Sequence, residues 1–392
     1  MIYLKLMPNN SIKGASRNLR ELSVATEVGY KITVVSADID IIDGEYKYIY
    51  SGVRHLTYDI PKLNRIGMII SDNKSLIRKL RKIDKDVISC HNITALFIGW
   101  MSTWFISKKR KPKLIYDSHE FEIGRSGDRS RAEKWFITHL ERFLIKRCAF
   151  SIMVNNSIAD EVQRIHKLKQ RPIVVRSTPN LWNIDETIIK QKRHELLSVL
   201  GVSDDTFTIM YHGGIMNNRG IESVIELVSM NPNIVGIILG NGDAKYMESL
   251  KSLTVQKGVS DRILFHPAVS IDELWKYVGA ADAGMVIIRN VCTSYYYSLP
   301  NKFFENIQSL TPIIGSDFPE IRRIVNEYGI GLLCDPSDLI AMNDCVEKMR
   351  TDGVFYESCK LGLVKAKEDL CWENEKKVLI EVYGNLIKEI NE

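Results

Sequence analysis

The feature that most restricts the fold is an alternation that runs the length of the chain and occurs twice. Short runs of β-favouring apolar residues lie at 2–7, 32–36, 87–89, 114–116, 151–154 and 173–175. A second set lies at 207–211, 234–239, 263–265, 283–288, 312–314 and 331–334. Between them, segments such as Leu19, Leu22, Ala25 and then 136–145, 221–230 and 271–277 carry apolar residues at helical spacing. Strands alternating with helices predict parallel sheets covered by helices on both faces. Two such sets in 392 residues, more than one ordinary core holds, predict two doubly wound, Rossmann-like α/β domains. The break falls between Thr178-Pro179-Asn180 and Gly201, and the polar helical segment 185–200 reads as the linker. Doubly wound sheets bind ligands beyond the carboxyl ends of their strands, so two facing domains place the site in the cleft between them.

The composition excludes several classes. Hydrophobic residues make 45% and charged residues 26% of the chain, as in soluble globular proteins. The net charge of +5 is a mild excess, and no long basic tract with interleaved aromatics argues for nucleic acid. Seven cysteines without a C-x-x-C spacing read as reduced thiols of a cytoplasmic chain, not as a disulfide framework or a zinc site. The N-terminal MIYLKLMPNN lacks the pattern of a signal peptide, and no apolar run reaches the roughly 18 residues of a spanning helix. No Walker A loop, EF-hand loop, Gly-x-Ser-x-Gly elbow or Gly-x-Gly-x-x-Gly fingerprint occurs.

Residues 298–317 carry the most chemistry. Lys302 and Glu305 are three apart and share one helical face, while Phe303, Ile307 and Leu310 form the opposite, apolar one. Pro300 suits a helix N-terminus. A charged face at a positive helix end fits an anionic, hydroxyl-rich ligand such as a nucleotide-sugar. The same pair also reads as a surface ion pair.

Residues 211–220, Tyr-His-Gly-Gly-Ile-Met-Asn-Asn-Arg-Gly, follow a strand and open a helix. Gly213 and Gly214 let backbone N–H groups approach a ligand, Arg219 adds donors suited to a diphosphate, and Asn217 or Asn218 offers a helix cap. Gly240-Asn241-Gly242 makes a second glycine turn at a strand end. In the first half, Tyr116-Asp-Ser-His-Glu120 ends a strand with a His between two carboxylates, suited to orienting an acceptor or stabilising developing charge. His91 and Asn92 end the preceding strand on the same rim, and Lys13-Gly14 lies in the first strand–helix loop. The basic run 108–113 follows Trp100, Trp104 and Phe105, which permits docking on an anionic membrane; the alternative is a solvated loop after a core helix.

With these residues assembled, the chain resembles the GT-B glycosyltransferases of family 4, a retaining group. The likeness runs through residues 86–92 and 114–120, Asn180, the Arg219–Gly220 loop, Gly240-x-Gly242, the segment Phe265-His-Pro-Ala-Val269, residues 299–305 and Trp372-Glu373. The resemblance implies an N-terminal acceptor domain over 1–184, a linker at 185–204, a donor domain over 205–373 and a helix at 374–392 that crosses back onto the first domain. It implies a hexosyltransferase acting on a nucleotide-sugar donor and a glycan or lipid-linked acceptor, in bacterial surface polysaccharide or glycolipid assembly. No metal or cofactor is expected, and the location is cytoplasmic or peripheral on the inner face of the plasma membrane.

The implied catalytic residues are His119, Arg219 and Lys302. The implied donor residues are Gly213, Gly214, Arg219, Gly240, Gly242, Val269, Lys302 and Glu305, with Glu305 on the ribose. Lys13, Gly14, His91, Asn92 and Glu120 are expected on the acceptor side. The chain departs from the pattern twice. Tyr297 stands where the family has the first Glu of its pair, and Gly214 where a second basic residue is common, so that Lys302 supplies the missing charge. Two alternatives are a sugar-nucleotide epimerase of the same fold and a catalytically inactive scaffold subunit.

Overall fold

The computed structural model describes residues 1–7, 16–36, 47–50, 74, 76–125 and 130–392. The chain forms two compact units, Met1–Arg176 with Glu375–Glu392, and Ser177–Asn374.

The first unit holds, among the described residues, a sheet of seven strands. These are β1 (Ile2–Met7), β2 (Lys31–Ser36), β3 (Lys47–Tyr50), β4 (Val87–Cys90), β5 (Lys113–Ser118), β6 (Phe150–Met153) and β7 (Ile173–Val174). Their order is β3-β2-β1-β4-β5-β6-β7, and all neighbours are parallel. The order reverses between β1 and β4, which puts the topological switch point of this sheet at the carboxyl ends of those two strands. Strand β3 has no counterpart among the expected runs, because Lys47-Tyr-Ile-Tyr50 is short and half polar.

The second unit repeats the logic with six parallel strands among the described residues. They are β8 (Phe207–His212), β9 (Ile234–Leu239), β10 (Ile263–His266), β11 (Ala283–Val286), β12 (Ile313–Ser316) and β13 (Gly331–Cys334). The order β10-β9-β8-β11-β12-β13 reverses between β8 and β11. Alternation along β8 shows how the sheet is buried on both faces. Ile209 and Tyr211 pack with Val224, Val228 and Met342 on one side, and Met210 packs with Leu196, Leu274 and Val278 on the other.

The 185–204 segment, expected as a linker, is a packed helix of the second unit. Asp185 caps the helix Glu186–Leu200 by accepting from the Thr187 and Ile188 N–H groups, and Leu196 and Leu197 are buried. Arg193 donates to the Ala280 carbonyl at 2.8 Å and to Asp282 Oδ2 at 2.9 Å. The polar face that suggested a linker is spent on these contacts. Expected helix 271–277 is displaced to Leu274–Gly279. The C-terminal helix Trp372–Asn391 returns to the first unit, where Tyr383 meets the Tyr3 hydroxyl at 3.0 Å and Glu375 accepts from Arg176 Nε at 2.7 Å. Among the described residues no helix is long and apolar enough to cross a membrane.

Candidate active site

The second unit builds its site on the loop that leaves β8 at the switch point. Tyr211 and His212 end the strand, and Gly213 (φ +117°) and Gly214 follow it, both exposed. The Tyr211 hydroxyl donates to the Gly214 carbonyl at 2.6 Å and closes the loop over the ring. Gly240 and Gly242 hold this loop from the neighbouring strand end. A Cβ at Gly240 would stand 1.9 Å from the Gly213 carbonyl oxygen, and one at Gly242 would stand 2.3 Å from that of Ile215. Their missing side chains are therefore explained by loop packing, with the Ile215 N–H donating to the Asn241 carbonyl at 2.9 Å.

Neither Asn217 nor Asn218 caps the next helix. Its N-cap is Gly220, in the left-handed conformation, because Asn218 is used in a left-handed turn (φ +65°) whose carbonyl accepts from the Arg289 N–H. Val269 packs beside the apolar cluster of Leu196, Met210 and Ile237.

The helix Asn301–Gln308 brings Lys302 and Glu305 to the same place, but not as an ion pair. Glu305 Oε2 lies 3.0 Å from His212 Nε2, a contact across 93 residues. Lys302 is 6% exposed, and its Nζ, 4.0 Å from the centroid of the Tyr211 ring, has no hydrogen-bond partner. Burial pulls the Lys302 ammonium down to about 7; the nearby Arg219 pulls it the same way, and Glu305 opposes both. The Arg219 guanidinium lies 5.4 Å from the Tyr295 ring centroid, and its Nε is buried without a partner. Two cations, each with an unpartnered buried nitrogen, thus flank a glycine loop of exposed backbone, which is the donor chemistry an oxyanion requires. The helix is also more deeply buried than an amphipathic reading allows, with Phe303, Phe304, Asn306, Ile307 and Gln308 all buried. Leu310 falls outside it in a left-handed turn (φ +55°). Tyr297 ends the short helix Thr293–Tyr296, its ring 5.5 Å from that of Tyr296. An open cavity of about 420 Å³, lined by Asn290, Val291, Cys292, Thr293 and Tyr296, adjoins it.

The first unit builds its site around charges that the sequence reading left unassigned. Lys5, wholly buried in β1, donates to Glu21 Oε2 and Asp117 Oδ2, both at 2.8 Å. Arg17 donates to Glu21 Oε1 at 2.9 Å, Asp117 Oδ1 at 3.3 Å and the Val175 carbonyl at 2.7 Å. Burial alone would raise the Asp117 carboxyl, but Lys5, His119 and Arg17 outweigh it and hold it well below the usual carboxylate range. Asp117 Oδ2 also faces His119 Nε2 at 3.0 Å. A carboxylate only accepts, so the hydrogen sits on Nε2, and in the neutral ring Nδ1 is left as an acceptor. The His91 ring lies 5.2 Å from that of His119; burial, helped by His119 and Lys5, lowers its pKa to about 3, so it stays neutral.

Glu120 does not flank His119: it turns outward and pairs with Arg125 at 2.9 Å, since the chain bends at the strand end. Asn92 caps the helix Ile93–Ser102, its Oδ1 accepting from the Ala95 N–H at 2.8 Å. Lys13 and Gly14 lie outside the described residues. Glu21, Asp117 and His119 bring ligand atoms within 4.8 Å of one another, the geometry of a metal site. Lys5 Nζ already stands between the two carboxylates and supplies the positive charge there. The available signal for this network was a charged residue inside the apolar run 2–7, followed by an Arg–Glu pair at i, i+4.

The comparisons agree on one family. Residues 192–360 match the model of glycosyl transferases group 1, and residues 12–179 match that of glycosyltransferase family 4. An uncharacterized glycosyltransferase of Methanocaldococcus jannaschii is 25% identical over 95% of this chain and 91% of its own length. Among solved structures, sucrose-phosphate synthase of Thermosynechococcus elongatus superposes with a TM-score of 0.76 at 16% identity over 99% of both chains. Anabaena HepE, solved with UDP, gives 0.73 at 13% identity over 99% of this chain and 100% of its own. The two units match the two family models in order, and the chain is a glycosyltransferase of family 4 with the GT-B fold.

Proposed function

We propose that the protein transfers a sugar from a nucleotide-sugar to an acceptor hydroxyl with retention of anomeric configuration, in the assembly of a surface polysaccharide or glycolipid. The observation that carries the donor reading is Lys302, a buried cation whose Nζ has no hydrogen-bond partner and which lies beside Arg219 and the Gly213–Gly214 loop. In this reading the departing diphosphate gathers negative charge as the glycosidic bond breaks. Arg219, Lys302 and loop N–H groups stabilise that charge as preorganised donors. Glu305 accepts the ribose hydroxyls, oriented for that task by His212. His119 serves the reacting sugar through Nδ1, its tautomer set by Asp117. No metal is needed at either place, because Lys302 and Arg219 supply charge at the donor loop and Lys5 supplies it between Glu21 and Asp117.

The HepE relative is also solved with UDP-glucose, which supports a nucleotide-sugar donor of this kind. A thermal-shift panel of UDP, GDP, ADP and their sugars tests the reading, followed by proton NMR of the product. Stabilisation by one nucleoside diphosphate and its sugar, with the donor's anomeric configuration kept, is the expected outcome. An inverted product refutes retention, and a chain that no nucleotide stabilises refutes the donor site.

A further inference from the structure

Beyond the donor and acceptor chemistry, the first unit presents a face that folding does not explain. Trp104 and Phe105 follow the helix Ile93–Ser102 with their rings turned to water, Trp104 41% and Phe105 92% exposed. Phe105 also holds φ +68°, a left-handed backbone that a Cβ disfavours. A large apolar ring is thus kept in solvent on strained backbone, although burial would favour the reverse. The base beneath it is a stack of aromatic rings. Trp104 packs edge-on against Trp100 at 4.9 Å, and Trp100 packs against Phe143 at 5.1 Å.

Basic residues accompany the pair in the chain and in space. Arg81, on helix 76–82, donates to the Met101 carbonyl at 3.3 Å and places its guanidinium 5.4 Å from the Phe105 ring centroid. That contact joins the exposed Arg78, Lys79 and Lys82 of the same helix to the aromatic tip. Beyond Phe105 the chain runs on into the exposed Lys109, Arg110 and Lys111. Residues 76–82 and 109–111 contain no acid, and the exposed Asp84 follows the first of these segments.

We propose that this face docks on an anionic lipid bilayer, with Phe105 and Trp104 entering the interface and the flanking cations binding headgroup phosphates. Paired projecting aromatics accompanied by basic residues match the interfacial mode, in which apolar insertion and electrostatic attraction add. A soluble polyanion would use the cations but would leave the strain and exposure of Phe105 without a role.

The test is sedimentation with phosphatidylcholine vesicles, with and without phosphatidylglycerol, in the absence of donor and acceptor. The chain is expected to sediment with the anionic vesicles and not with the neutral ones, and added salt should release it. Phe105→Gly should weaken binding about tenfold through lost apolar insertion. Its melting temperature should be equal or higher, since glycine accepts the left-handed φ. Reversing Lys109, Arg110 and Lys111 to Glu together should weaken binding more than about a hundredfold. A wild-type chain that ignores anionic vesicles overturns the proposal, as does a Phe105→Gly chain that binds them as well as wild type. Equal binding of polyuridylate and anionic vesicles, with parallel losses in both variants, would make the face a general polyanion surface and also overturn it.

Discussion

Lys302 and Tyr211 form a cation–π contact of 4.0 Å that links the helix Asn301–Gln308 to the strand before the glycine loop. The ring gives the buried ammonium a favourable electrostatic neighbour but no hydrogen bond, so three N–H donors remain for a ligand. Lys302 is therefore poised between a costly charge and a useful one, and its pH behaviour should report that.

In the folded, nucleotide-free protein the Lys302 pKa is about 7, against an ordinary value of 10.5. Between those values the unfolded chain binds more protons than the folded one, so this group makes stability rise with pH across that window. Lys302→Met should flatten the rise, as read by urea denaturation from about pH 7 to pH 10.5, the window those two values define. A nucleoside diphosphate favours the charged form, so its affinity should fall above pH 7 by up to about tenfold per unit. Calorimetry in buffers of different ionisation enthalpy should show proton uptake on binding, and a pH-independent affinity would contradict the assignment.

Arg219→Ala should weaken nucleoside diphosphate binding by about ten- to a hundredfold, the scale of a lost charge-assisted hydrogen bond. The side chain is only partly buried, so the melting temperature should hardly change. Unchanged affinity by titration calorimetry would remove Arg219 from the phosphate site.

Glu305→Ala should separate the ribose from the phosphates. Binding of a nucleoside diphosphate should drop by about tenfold or more, while that of inorganic pyrophosphate should drop less. Losing the His212 contact affects both ligands alike, so equal losses would assign Glu305 to loop support alone.

Asp117→Asn should destabilise the first unit by about 3–5 kcal/mol, because Lys5 and Arg17 would each lose a buried counter-charge. The depressed carboxyl contributes stability above its unfolded pKa and loses it only as pH falls through the much lower folded value. The wild type should thus keep this contribution well into acid, and the variant should lack it at neutral pH. Denaturant midpoints at neutral and acid pH check both statements.

Gly240→Ala should disturb the loop from a distance. Its methyl would meet the Gly213 carbonyl at 1.9 Å, so either the loop or the β9 end must move. Nucleotide affinity should fall together with the melting temperature, which distinguishes this change from Arg219→Ala.

The order of elements was legible because hydrophobic period is a local property: the runs at 234–239 and 331–334 coincide with β9 and β13. The placement of Arg219 in a loop before a helix, and of Lys302 and Glu305 in a helix after Pro300, was legible for a related reason, since glycine, proline and apolar runs mark those elements. What each side chain meets was not legible. Lys302 and Glu305 read as a possible pair at i, i+3, yet Glu305 bonds His212, and Lys302 lies on Tyr211. Lys5, Glu21, Ser89 and Asp117 converge across separations of 16, 84 and 112 residues, and no periodicity encodes such a meeting. The sequence by itself thus determined which segments are strands and helices and that they alternate twice. Only the tertiary structure decided which charges are buried together, because Lys5, Ser89 and Asp117 lie on separate strands that the sheet order sets side by side.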